Sequence, residues 1–184
     1  PEGKPSCPNC SESFSWKSWK RMKETLFDPI LGSNRETVRQ KLCHTWYRKK
    51  AGAKRVHHDN IDNELEEECV RLATKMLKDL HIPITELPEG VNLNQPKKSH
   101  GLTHVHHFYT LRSLAVLGAI HEEVERSRIE VRHVLRQAVL SLHTRGSIRN
   151  RYLQEYEHRH VGIQSGTLYV PPVREEVNLI DSFD

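Results

Sequence analysis

The chain has 184 residues, 36% hydrophobic and 28% charged, with 28 Lys plus Arg against 24 Asp plus Glu for a net charge of +4. That apolar fraction supports a modest core, which excludes wholesale disorder; the mild positive balance suits a nucleic-acid partner without requiring one. No apolar run approaches the ~18 residues of a membrane span and no secretory leader opens the chain, so a cytoplasmic, membrane-free setting is expected.

The chain opens on Pro1 rather than Met, which points to a piece of a longer polypeptide. Residues 1–10 read as a loop. Within it, Cys7-Pro8-Asn9-Cys10 is half of a zinc knuckle. Two thiolates two residues apart grip one tetrahedral Zn at about 2.3 Å per bond, and in a reduced compartment such a pair reads as metal or redox chemistry rather than a disulfide. A closed site needs two more ligands. Cys43 with His44 is one source and residues upstream of Pro1 are the other; the bland reading is a flexible terminus with two free thiols. Cys69 reads as a core residue.

Residues 14–26 mix Trp16 and Trp19 with lysines and fit either a strand or a short amphipathic helix. Asp28-Pro29 and Gly32 then break the chain. Ser33 followed by Glu36 has the form of a capping box, which predicts a helix over residues 33–50 with Val38, Leu42 and Trp46 on one face. A second helix is expected over 61–80, with the stripe Leu65, Cys69, Leu72, Met76, Leu80 inward and Glu64, Glu66, Glu67 and Glu68 near its positive N-terminus. Residues 88–107 form a long polar connection, of a length usually functional or disordered. Thr110 is placed to cap a helix over 111–126, with Leu114, Leu117, Ile120 and Val124 inward. Another follows over 129–143, with Val131, Val134, Leu135, Ala138 and Leu142 inward, and the helical pattern ends near Gly146. The short link between the last two predicts an antiparallel hairpin. The tail from 147 is irregular, with one β-prone run over 167–170.

Two connecting stretches carry chemistry. Residues 97–109 bring together Lys97, Lys98, His100, His104, His106, His107, Phe108 and Tyr109, a mixture suited to phosphate contacts and base stacking. If that loop is extended, His104 and His106 share one face, which is also a metal-pair geometry. The bland reading is a solvated cationic loop whose imidazoles cap neighbouring helices; below roughly pH 6.5 the chain's thirteen His would add positive charge. The second stretch holds Arg149, Asn150, Arg151 and Tyr152, with Arg159 beyond. Arg and Asn side chains make the bidentate contacts to guanine and adenine edges. A metal-dependent nuclease of the HNH type is the rival reading, with His57-His58 or His106-His107 as the base. Its second Cys pair and the Asn-Leu segment before a final His are absent. No GxGxxG, P-loop or Gly-x-Ser-x-Gly element is present.

The runs GLTHVHHFYTLRSL (101–114), RNRY (149–152) and SGTLYVP (165–171), together with the CPNC half-knuckle, resemble a family of large, zinc-ribbon-containing, adenine-specific DNA methyltransferases. The resemblance spans much of residues 7–184. It implies a target-recognition segment lying between the S-adenosylmethionine-binding element and the Asp-Pro-Pro-Tyr catalytic element, both of which this chain lacks. Asp28-Pro29 is followed by Ile30-Leu31 and does not match.

The expectation is therefore a mainly α chain of about four helices: a partial zinc-knuckle segment over 1–30, a helical domain over 31–146 and an irregular arm over 147–184. It would bind duplex DNA for a parent methyltransferase through Lys97, Lys98, His100, His104, His106, His107, Arg112, Arg149, Asn150, Arg151, Tyr152 and Arg159. Cys7 and Cys10 would be metal ligands, S-adenosylmethionine would sit elsewhere in the parent, and this chain alone would be inactive. The remaining alternative is a purely structural helical insert.

Overall fold

The computed structural model describes residues 6, 10, 11, 13, 21–43, 45–47, 56–58, 63–153 and 161–182. The arrangement is mainly α: three α-helices among the described residues, α1 (Asn63–Met76), α2 (Leu111–Arg126) and α3 (Ile129–Gly146), with short helical turns between α1 and α2. Ahead of them lie two antiparallel hairpins, β1 (Lys23–Asp28) with β2 (Ser33–Val38), and β3 (Thr45–Tyr47) with β4 (Val56–His58). No helix among the described residues is long and apolar enough to cross a membrane.

The helix expected over 33–50 is not formed; this is a correction, and its cause is turn chemistry. Asp28 accepts the backbone N–H groups of Ile30 (2.9 Å) and Leu31 (3.1 Å) on Oδ1. Pro29 suits the first corner of a tight turn, and Gly32 supplies the left-handed φ of 65° that closes it. The turn reverses the chain, so Ser33 pairs with Asp28, Glu36 with Thr25 and Val38 with Lys23. The Ser33–Glu36 spacing thus lies in a strand, where the two residues point to opposite faces.

The later helices follow their periodicity. Thr110 caps α2 by accepting the Ser113 N–H at 3.2 Å. Leu114, Leu117 and Val124 are buried, with Ile120 half-buried. α2 packs between α1 and α3. On α3 the inward set is Val139 and Leu142; Val131, Val134 and Ala138 are exposed, contrary to expectation. On α1 the buried residue is Ala73, continued by Leu77 just past its end, rather than the Leu65–Leu72–Met76 stripe.

Three apolar clusters result. Leu87, Leu93, Leu102, Phe108, Ile148 and Val170 form one, Ala73, Leu77, Leu114 and Ala115 a second, and Leu117, Leu142 and Leu179 a third. Tyr109 packs against all three. Each fully buried aliphatic side chain contributes about 1.5–3 kcal/mol. The first cluster therefore fixes the 88–109 connection, which holds turns of 3-10 and π type at Val91–Leu93, Gln95–Ser99 and Val105–Phe108. The 167–170 run forms no strand. Instead the Gln95 side-chain amide imitates one, donating to Val170 O (3.1 Å) and accepting from Val170 N–H (3.2 Å).

Gly101 sets how closely this connection lies on the hairpin. Its φ is +69°, and a Cβ there would meet Glu36 O at 2.1 Å. The neighbouring Thr37 hydroxyl donates to His100 O at 3.0 Å. A Gly101→Ala substitution combines left-handed strain with a clash against backbone. It is expected to cost about 2 kcal/mol or more, read as a lower urea midpoint; a loss under about 0.5 kcal/mol would contradict this contact.

Candidate functional site

The connection over 97–109 and the 147–152 stretch meet at the base of the α2–α3 hairpin. Ile148 N–H donates to Phe108 O (2.8 Å), and Tyr109 and Ser147 form an antiparallel bridge. The tail joins them: Arg149 donates to Thr167 O, Arg151 Nε to Gly162 O (3.2 Å), and Arg151 bridges Arg174. All three sequence elements of the resemblance are thus packed together.

At the centre lie Asp28, His106 and His107, all buried. His106 Nε2 and His107 Nε2 both reach Asp28 Oδ2, at 3.0 and 2.7 Å. The tautomer of His107 follows from its other nitrogen. Nδ1 accepts the N–H of Thr103 (3.0 Å) and of His104 (3.3 Å), so it carries no proton, and Nε2–H donates to Asp28. A carboxylate that accepts two imidazole N–H groups and two backbone N–H groups holds its charge. Burial pushes the Asp28 carboxyl up, but the hydrogen bonds of His106, His107, Leu31 and Ile30 outweigh it and keep it well below the usual carboxylate range. Burial lowers His107 to about 4, against the opposing pull of Asp28.

This geometry resembles a three-ligand metal set, yet its donor chemistry argues against one. A metal on His107 Nε2 would need that proton removed while Nδ1 still accepts, leaving an imidazolate. Arg35 also stands 4.0 Å from Asp28 Oδ2 and already supplies a positive charge. The cluster is best described as a polar staple that locks the β1–β2 turn to the His-rich turn. His106 Nδ1 is buried without a partner among the described residues.

A second imidazole chain runs from Tyr109. Its hydroxyl lies 3.1 Å from His143 Nδ1, and His143 Nε2 lies 2.9 Å from His121 Nε2. With ring centroids 5.2 Å apart and the two Nε2 atoms at 2.9 Å, the rings meet nearly head-on, the geometry of a hydrogen bond and not of a chelate. Burial, and then the nearby His121, lower His143; burial raises Tyr109.

The expected contact residues divide sharply. His100, His106, His107 and Asn150 are buried, and Asn150 donates to Glu175 O (3.2 Å) and Arg145 O (3.5 Å). In this structure these side chains turn into the protein, where they hydrogen-bond Asp28 and backbone groups. Burial also lowers His100. His104 is half-buried beside Thr103 Oγ1 (2.9 Å), within a turn rather than the extended run that would align it with His106. Arg112 is committed to Glu66 and Glu176. Lys97 is paired with Glu89. Lys98 is exposed, and Arg149, Arg151 and Tyr152 are half-buried. Sequence reasoning missed Asp28, the hub, and missed Arg21 and Arg174, whose charges act on His100 from outside the two stretches. Asp28 had a signal, the Asp-Pro…Gly turn; the two arginines had none.

Cys10 and Cys43 are exposed and free, and Cys69 is half-buried. Cys7, His44 and Arg159 lie outside the described residues. No protein-family model, curated protein or solved structure matches this chain.

Proposed function

We propose that this chain is the DNA-contacting segment of a larger S-adenosylmethionine-dependent DNA methyltransferase. The observation that carries the reading is convergence: GLTHVHHFYT, RNRY and SGTLYVP, far apart in sequence, share one core and one set of hydrogen bonds. Arg21, Lys98, Arg149, Arg151 and Arg174 would supply charge around that core, with Arg149 Nε buried and unpaired among the described residues. The chain's task is to grip and orient duplex DNA. Cofactor binding and methyl transfer belong to other parts of the parent, and a zinc site would draw on Cys7 and Cys10 with further ligands.

With about four phosphate contacts, affinity should fall roughly a hundredfold between 50 and 200 mM salt, as counterions released on binding lose their entropic advantage. Fluorescence anisotropy with a short duplex measures this. Replacing Lys98 and Arg151 by Gln should flatten the salt slope by about two. Absence of binding by folded protein at low salt would refute the reading.

A further inference from the structure

Two arginines stand directly opposite each other where the tail returns to the base of the α2–α3 hairpin. Arg151 and Arg174 form an antiparallel bridge, flanked by the Glu175 N–H donating to Asn150 O (3.2 Å) and the Tyr152 N–H to Val173 O (3.4 Å). Opposed residues of such a bridge carry their side chains on one face, with Cβ atoms about 5 Å apart, and like charges so placed repel. Arg151 commits its Nε to Gly162 O at 3.2 Å. Its two Nη groups, and the whole Arg174 guanidinium, have no hydrogen-bond or carboxylate partner among the described residues.

Both side chains are half-buried, so the pair is partly withdrawn from water. Burial lowers the Arg174 guanidinium against the pull of Glu176. That carboxylate does not neutralise it, because Arg112 and Thr110 already occupy both of its oxygens. The surroundings add charge of the same sign. Burial, opposed by the Gln95 hydrogen bond, lowers the buried His100, and the charges of Arg21 and Arg174 lower it further. Two half-buried cations on one face cost stability, and an anion on that face offsets the cost.

Geometry selects the anion. A guanidinium presents parallel N–H donors along an edge and grips an oxyanion bidentately. Two guanidinium groups on one face reach a single anion from two sides. A carboxylate offers one edge of two oxygens, whereas a tetrahedral phosphate offers a separate edge to each. We infer that Arg151 and Arg174 form a site for one phosphate group, held between the two guanidinium forks. The inference deepens the proposed function and rests on it only for the source of the phosphate: a phosphodiester of duplex DNA in that reading, a free phosphate otherwise.

Titration of the full chain with inorganic phosphate, against chloride at matched ionic strength, tests it by NMR. The Arg151 and Arg174 backbone N–H signals and the Arg174 Nε–H signal should shift and saturate, half-way at about 5 mM. Arg174→Gln should weaken this about tenfold, and Arg151→Gln should do the same, with circular dichroism confirming that each variant folds. Arg126→Gln, at the end of α2 and paired with Glu122 and Glu123, should leave it unchanged. A short duplex separates the sources. If the occupant is a DNA phosphodiester, inorganic phosphate competes with the duplex and Arg174→Gln weakens duplex binding about tenfold. Phosphate binding at the pair without duplex binding upholds the inference and removes the DNA reading. Duplex binding with no phosphate response beyond that of chloride overturns the inference and leaves the DNA reading standing. A phosphate response that both substitutions leave intact also overturns it.

Discussion

Replacing Asp28 by Ala should destabilise the fold by about 4 kcal/mol, a large share of the roughly 5–15 kcal/mol that holds a domain together. The carboxylate is 4% exposed and serves four donors: Ile30 and Leu31 N–H, His106 Nε2 and His107 Nε2. Alanine leaves all four unsatisfied and removes the counter-charge nearest Arg35. Breaking a buried, hydrogen-bonded ion cluster by deleting one member costs about 3–5 kcal/mol. Asp28→Asn is the sharper variant. Its amide oxygen keeps the turn, but its NH2 then faces two imidazole N–H groups. His107 cannot turn its tautomer over to accept, because Nδ1 is already taken by Thr103 and His104. The expected cost for Asn is about 3 kcal/mol, close to that of Ala. Urea unfolding of both variants measures it. A cost for Asn under about 1 kcal/mol would mean that the His107 tautomer is not fixed as described.

Acid should begin to weaken this fold above the range in which ordinary carboxylates titrate. His107 is neutral in the folded state down to about 4, whereas an imidazole in the unfolded chain takes its proton near 6.5. Between those values the unfolded state binds more protons than the folded one, so stability falls as pH falls. Above about pH 6.5 the contribution of His107 is complete. Between 6.5 and about 4 it is progressively lost, to a total of roughly 3 kcal/mol. His100 and His143 are shifted in the same direction by burial and add to the slope. Asp28, held below the usual carboxylate range, adds its own loss only at lower pH. Unfolding free energy measured from pH 8 to pH 4 should therefore be flat at the top and steep below 6.5. A flat profile through pH 5 would contradict the neutral, buried imidazoles.

The sequence made the helical half legible because α2 and α3 are long, periodic and clearly ended. Thr110 caps one, and the pattern of both stops where the helices stop. It misplaced the 33–50 segment because a capping pair is a signal of four residues, whereas Asp28, Pro29 and Gly32 together fix a chain reversal. It chose the wrong stripe on α1 because that helix carries two, and spacing alone does not say which one a neighbour covers. For the candidate site, composition marked two loops that the fold brings together, and it did not show that several of their side chains are buried. Histidines near lysines read as a cationic surface; the fold instead turns His100, His106 and His107 inward, where they bind backbone and Asp28. Asp28 lies 78 residues from His106 in sequence, a pairing that no local pattern carries.

On the proposed function, the joined stretches over 97–103 and 147–152, with Arg21 and Arg174 beside them, would form the face that meets DNA. Amide chemical-shift mapping during titration with a short duplex at low salt tests it residue by residue. The perturbed signals should cluster on Lys98, Gly101, Arg149, Arg151 and Arg174 while the far ends of α2 and α3, at Arg126 and Ile129, stay unmoved. Perturbations confined to that distant end, or spread evenly over the helices, would contradict it.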